Sequence, residues 1–171
     1  MLFDEATPGL SGQELVYAAW QVRLHGRDFI AREDISLGGF ARELANVSIV
    51  EREADGGFRF RLAGTAMRHA FGREARGLRS EEVVHCTGKG AWCEGLHRAL
   101  DLCQPVMGQS PTADGGVHYW MRLPMSSDGV TLDLVLCHDW ILSAEALVDP
   151  ELAARKASRA LRIDHEELIM A

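Results

Sequence analysis

A chain of 171 residues with 47% hydrophobic and 25% charged content fits one globular domain with terminal extensions and argues against disorder. Its formal net charge of -7 and pI of about 5.5 disfavour a general nucleic-acid partner, which wants a basic surface. No apolar run approaches the roughly 20 residues of a membrane span, and the early acids of Met1-Leu2-Phe3-Asp4-Glu5 lack an export pattern, so a cytoplasmic location is expected.

In chain order, Ser11 to about His25 reads as a helix, with Ser11 as cap, Glu14 at the capping-box position and Gly26 as its stop. Leu15, Ala18, Ala19 and Val22 form its apolar stripe, with Tyr17 and Trp20 near the borders. Arg27 to Asp34 is a charged connection carrying Phe29 and Ile30, and a short helical stretch follows around Leu37 to Ala45. Two strands, Asn46 to Glu53 and Phe58 to Leu62, are joined by Ala54-Asp55-Gly56-Gly57, a strong hairpin signal. Phe58, Phe60 and Leu62 share one strand face, and Arg59 and Arg61 the other. The strand breaks at Gly64. Thr65 then caps a short helix carrying Met67, Ala70 and Phe71, closed by Gly72, and a further turn begins near Gly77.

Lys89 to Cys103 places Trp92, Cys93, Leu96, Ala99, Leu100 and Cys103 at the spacing of a buried helix face. Three strands follow: Val106 to Ser110, Val117 to Met125 and Val130 to Ile141. Ala113-Asp114-Gly115-Gly116 and Ser126-Ser127-Asp128-Gly129 join them into an antiparallel meander. The order is α+β, not the alternation of a parallel sheet. Asp149-Pro150 opens a final helix, Glu151 to about Ile163, basic in its later turns, and residues 164–171 form a tail. Cys86, Cys93, Cys103 and Cys137 form no C-x-x-C pair, which suits reduced thiols rather than a zinc site.

This order, and the strand running straight into short helices from Phe58 to Leu78, resembles the PAS fold. The details resemble a bacterial family of short, often stand-alone PAS-like proteins. Trp20 followed by Arg27, Arg32, Asp34 and Ile35 resembles its lead-in segment. Arg59 to Gly64, Thr65, Phe71-Gly72-Arg73 and Gly77 resemble its central signature, and Leu123-Pro124-Met125 with Asp128-Gly129 its last hairpin. The resemblance spans about Trp20 to Leu142. It implies a five-stranded antiparallel sheet with helices on one face, an N-terminal capping helix and a C-terminal helix. Residues 1–45 are then the lead-in and cap, 46–142 the PAS core, and 143–171 the C-terminal helix and tail. Phe58, Phe60, Leu62, Met67, Phe71, Leu96, Leu100, Tyr119 and Met121 are expected around a small cavity, or as an ordinary core that fills it.

Flavin-binding photosensor PAS domains resemble this chain over Gly72-Arg73-Glu74-Ala75-Arg76-Gly77-Leu78, where they carry a reactive cysteine. Ala75 stands at that position and Cys86 lies eleven residues downstream, so a covalent flavin photocycle is not expected. Some PAS domains hold haem through an axial histidine. His69, His85, His97 and His118 are the candidates; no spacing singles one out, and a surface or capping role is the favoured reading of each. On the last strand His138 and Asp139 are neighbours that point to opposite faces, so they cannot form one dyad. If Leu132, Leu134 and Leu136 face the helices, His138 follows them inward, to bond a ligand or a backbone carbonyl. There is no G-x-S-x-G elbow, H-E-x-x-H motif or phosphate-binding glycine loop, and no catalytic residue is expected.

The expected function is therefore a non-catalytic PAS regulator in bacterial signalling, docking a signalling protein or a second copy of itself. A small apolar ligand in the pocket belongs to the same reading. The alternatives are a haem or ligand sensor, and a cone-shaped α+β enzyme acting on a hydrophobic substrate with His138 as base. Trp120 shares a strand face with His118 and Arg122, opposite Tyr119 and Met121. It is expected to be an exposed docking residue unless the N-terminal helix, with Tyr17 and Trp20, covers it.

Overall fold

Tight turns and short helices fold this sequence into one sheet with a helical layer on each side. The computed structural model describes residues 10–83 and 89–149. In chain order they form α1 (Leu10–Gln21), β1 (Ile30–Ala31), 3₁₀ turns over Arg32–Asp34 and Leu37–Asn46, β2 (Val47–Arg52), β3 (Phe58–Ala63), α2 (Thr65–Phe71) and α3 (Ser80–Val83). Then come α4 (Lys89–Asp101), β4 (Val106–Pro111), β5 (Val117–Ser126), β6 (Leu132–Leu142) and α5 (Ala144–Val148). The helix expected over Glu151 to Ile163 lies outside the described residues, as do His85 and Cys86.

The sheet runs β3-β2-β6-β5, with β4 along the first part of β5 and β1 along its end. Every pairing among β2 to β6 is antiparallel, as expected. The two-residue β1 is an addition: it pairs parallel to β5 through Ile30 with Met125 and Ala31 with Ser126. In the β2–β3 turn Gly56 adopts a φ of +85°, the left-handed geometry that glycine takes without a Cβ penalty.

Two bulges decide which side chains meet. Val50 pairs with Phe60 and Ile49 with Leu62, so Arg61 is the extra residue in β3. A bulged residue reverses the alternation beyond it. Phe58 and Phe60 therefore face α2 and α4, whereas Leu62 turns to the α1 layer. Likewise Met125 pairs with Leu134 and Ser126 with Leu132, leaving Asp133 between them. Leu132 consequently packs toward α4, and Leu134 and Leu136 toward α1. The condition that Leu132, Leu134 and Leu136 all face the same helices is therefore not met.

One layer packs Met67, Phe71, Val83, Trp92, Leu96, Ala99 and Leu100 on Val50, Phe58, Phe60, Val135 and Cys137. The other packs Val16, Trp20 and Phe40 on Val47, Ile49, Met121, Leu123, Met125, Leu134 and Leu136. Each such side chain contributes about 1.5–3 kcal/mol by leaving water. Trp20 also donates its Nε1–H to the Pro124 carbonyl at 3.1 Å, which fixes α1 to β5. The buried stripe of α1 is Gln13, Val16 and Trp20, while Ala18 and Val22 are exposed. The stripe is thus rotated from the expected one, and the helix ends at Gln21, before the left-handed pair His25 and Gly26.

Gly64, not Thr65, is the N-cap of α2. A Cβ at Gly64 would lie 2.2 Å from the Leu44 carbonyl oxygen and 2.4 Å from that of Ala45. The chain needs glycine there because the backbone of the preceding 3₁₀ turn crosses directly against it. Gly72 closes the helix in the left-handed region, as expected.

Candidate functional site

The layer between the sheet and α2–α4 begins as an aromatic cluster. Phe60 lies 5.6 Å from Phe71 and 5.4 Å from Trp92, ring centre to centre, and Phe71 lies 6.5 Å from Trp92 at 87°. These offset and edge-to-face arrangements are the favoured ones for aromatic pairs. β3 supplies Phe60, α2 supplies Phe71 and α4 supplies Trp92, so the cluster ties both helices to the sheet.

Beside the aromatics sits a fully buried polar group. Arg122 on β5 is 0% exposed, and its Nη2 donates to Asp139 Oδ1 on β6 at 2.7 Å. His118 Nε2 donates to the same oxygen at 2.8 Å, and Arg122 Nη1 donates to the Met121 carbonyl at 2.9 Å. The guanidinium carbon lies 5.0 Å from the Trp92 ring centre and 5.5 Å from that of Trp120, within range of a cation–π attraction. Trp120 packs so closely against β4 that a Cβ on Gly108 would lie 2.3 Å from its ring, and its Nε1–H donates to Ser110 Oγ at 3.2 Å.

The charges hold one another in place. Burial alone would raise the Asp139 pKa, but the charge of Arg122 and the bonds from His118 and Arg122 outweigh it. The carboxyl is held well below its usual range. Burial likewise opposes the charge on Arg122, and the Asp139 carboxylate leads the influences that together keep its pKa raised. Burial pushes the neighbouring Cys137 thiol up to about 12 against the pull of Arg122, leaving it a neutral, unreactive group. Three polar atoms of this cluster stay unmatched: Arg122 Nε, Asp139 Oδ2 and Trp92 Nε1. A buried unmatched group costs about 1–3 kcal/mol, more when charged.

A family model described as a PAS domain matches residues 10–123. The chain belongs to the PAS domain family. No curated protein matches the chain. PAS domains are sensory and signalling modules, generally non-catalytic, that mediate protein interactions. Among the described residues, no helix of this PAS domain is long and apolar enough to cross a membrane.

Of the residues expected around the PAS pocket, Phe58, Phe60, Met67, Phe71, Leu96 and Leu100 come together in the α2–α4 layer. Leu62 and Met121 lie in the α1 layer, and Tyr119 pairs across from Trp140 on that same side. His138 also faces that side, where its Nε2 lies 3.0 Å from Glu43 Oε2. His138 keeps step with Leu134 and Leu136, and only Leu132, across the bulge at Asp133, lies on the other side. Reading polarity as exposure accounts for Tyr119 and Met121, because the inward face of β5 is the one that carries Arg122 and His118. Trp120 is therefore not an exposed docking residue, nor does α1 cover it. It stands under α4, where a Cβ on Gly95 would lie 3.2 Å from its ring. Trp20 is buried against β5 on the far side of the sheet, with Tyr17 half-buried beside it at 6.0 Å.

Ala75, where photosensor relatives carry cysteine, is buried in the α2–α4 layer. His69 and His97 are exposed; His69 Nδ1 lies 3.2 Å from the Thr65 carbonyl, and His97 sits edge-on to Phe58 at 4.8 Å. Sequence reasoning missed Trp92, Arg122 and Asp139 as parts of one site. The signal was present in the alternation His118, Trp120, Arg122, which faces Asp139 once β5 and β6 are paired.

Proposed function

We propose that this PAS domain is a non-catalytic sensor that binds a small, largely apolar molecule between its sheet and α2–α4. It relays occupancy through contact with another signalling protein or a second copy of itself, in bacterial signalling. The observation that carries this reading is the convergence of Phe60, Phe71 and Trp92 from three elements onto one enclosed layer. An enclosed aromatic layer with a few placed polar groups is what small-molecule sites have in common. Docking through a bare sheet face is not part of the proposal, because α1 and the 3₁₀ turn with Phe40 cover that face.

Native mass spectrometry with an absorption spectrum on freshly purified protein tests both halves. An added mass that is lost on denaturation, or a visible absorption band, supports the sensor reading. A dimer signal, or a partner retained by the tagged chain and identified by sequence, supports the docking reading. A bare monomer that gains no mass from a metabolite extract and retains no partner overturns both.

A further inference from the structure

The aromatic layer has a polar end. Arg122 Nε and Trp92 Nε1 are buried N–H donors without acceptors, and Asp139 Oδ2 is a buried acceptor without a donor. Arg122 links the three: it bonds the other oxygen of Asp139 at 2.7 Å, and its guanidinium carbon lies 5.0 Å from the Trp92 ring centre. No other described cluster joins two orphaned donors and an orphaned acceptor beside an aromatic wall. The unmatched His138 Nδ1, by contrast, belongs to a side chain on the opposite face of the sheet.

Charge narrows what this end can receive. Arg122 and Asp139 neutralise each other, so the cluster offers no net charge to an ion. A carboxylate ligand would meet the Asp139 oxygen, and an ammonium ligand would meet the guanidinium; each is repelled at close range in a medium of low dielectric constant. A neutral group with a carbonyl beside an N–H meets both demands. Its oxygen accepts from Arg122 Nε or Trp92 Nε1, and its N–H donates to Asp139 Oδ2. A site built of buried polar groups also rejects analogues that leave those groups unpaired.

We infer that Arg122, Asp139 and Trp92 form the recognition end of a site for a neutral planar amide or lactam, whose body lies against Phe60, Phe71 and Trp92. The inference deepens the sensor reading and rests on it. It adds a definite headgroup to a ligand otherwise described only as apolar.

The test uses three ring probes that differ in one group: benzamide, benzoate and toluene. The four tryptophans of the full chain give indole N–H signals in a ¹⁵N–¹H spectrum, and that of Trp92 is assigned by its loss in Trp92→Phe. Benzamide is expected to move the Trp92 signal in a saturable way, and benzoate at equal concentration to leave it in place. Trp92→Phe keeps the ring wall and removes one donor, so benzamide affinity is expected to fall about three- to tenfold. The wild-type benzamide–benzoate comparison needs no variant, so it stands even if Trp92→Phe folds poorly. Equal shifts from benzoate, or none from benzamide up to its solubility limit, overturn the inference and leave ordered water as the occupant of the polar end. Toluene separates the two readings. If it shifts core methyl signals while benzamide does not move Trp92, the apolar pocket stands and its polar end falls. If no probe moves a core signal, both fall.

Discussion

Asp139→Asn isolates the electrostatic part of the buried cluster. The amide oxygen can still accept from His118 and Arg122, so shape and most hydrogen bonding survive. What is lost is the charge that neutralises a guanidinium with 0% exposure. Removing one partner of a buried ion pair costs about 3–5 kcal/mol, against a total stability of about 5–15 kcal/mol. For a domain of this size that lowers Tm by about 6–20 °C. The assay is urea unfolding followed by tryptophan fluorescence and far-UV circular dichroism, with Tm from calorimetry. Arg122→Met combined with Asp139→Leu should be less destabilised than the sum of the two single changes, because it leaves no lone buried charge. The effect should also persist from about 0.05 to 1 M NaCl, since the pair is buried from bulk solvent and its ions. A loss below about 1 kcal/mol, or one that salt abolishes, would mean that the pair is solvated and that the cluster is not a closed polar core.

Three further outcomes follow from the same geometry. Asp139 has a lowered folded pKa, so its contribution is complete above the unfolded value of about 3.9 and is lost as pH falls through the lower folded value. The urea-midpoint gap between wild type and Asp139→Asn should therefore hold from neutral pH down to about pH 4 and close only below it; closure between about pH 5 and 7 would contradict the assignment. Gly108→Ala drives a methyl to 2.3 Å from the Trp120 ring and should cost about 1–3 kcal/mol, with a changed tryptophan emission; an unchanged unfolding midpoint would show that Trp120 moves aside freely. Cys137, buried and with its thiol pushed up to about 12, should resist iodoacetamide in the native protein and react in urea, as read by peptide mass spectrometry; rapid native labelling would place it near solvent.

Much of this architecture was legible because local chemistry determines it. The Asp-Gly turns marked the hairpins, and the helix over Lys89 to Asp101 showed itself through the spacing of Trp92, Leu96, Ala99 and Leu100. Which side of the sheet each residue faces was not legible past the bulges. One extra residue at Arg61 and another at Asp133 invert everything beyond them, and neither leaves a mark in a polarity pattern. β5 misled for a different reason. Its inward face carries His118, Trp120 and Arg122, which read as solvent-facing because burial of an arginine is tolerated only with a carboxylate partner. That partner, Asp139, stands 17 residues away and becomes a neighbour only when the hairpin closes.

Arg122 reaches into one core while its Nη1 grips the carbonyl of Met121, whose own side chain is anchored in the other. The partition between the two cores is thus a single thickness of peptide, and both cores are attached to the same plank. Close-packed interiors yield little and pass strain onward. Any displacement of the guanidinium would therefore load the floor beneath Val16 and Trp20 directly. The outer helix of this protein thus rests on the far side of the very strand that the buried guanidinium grips.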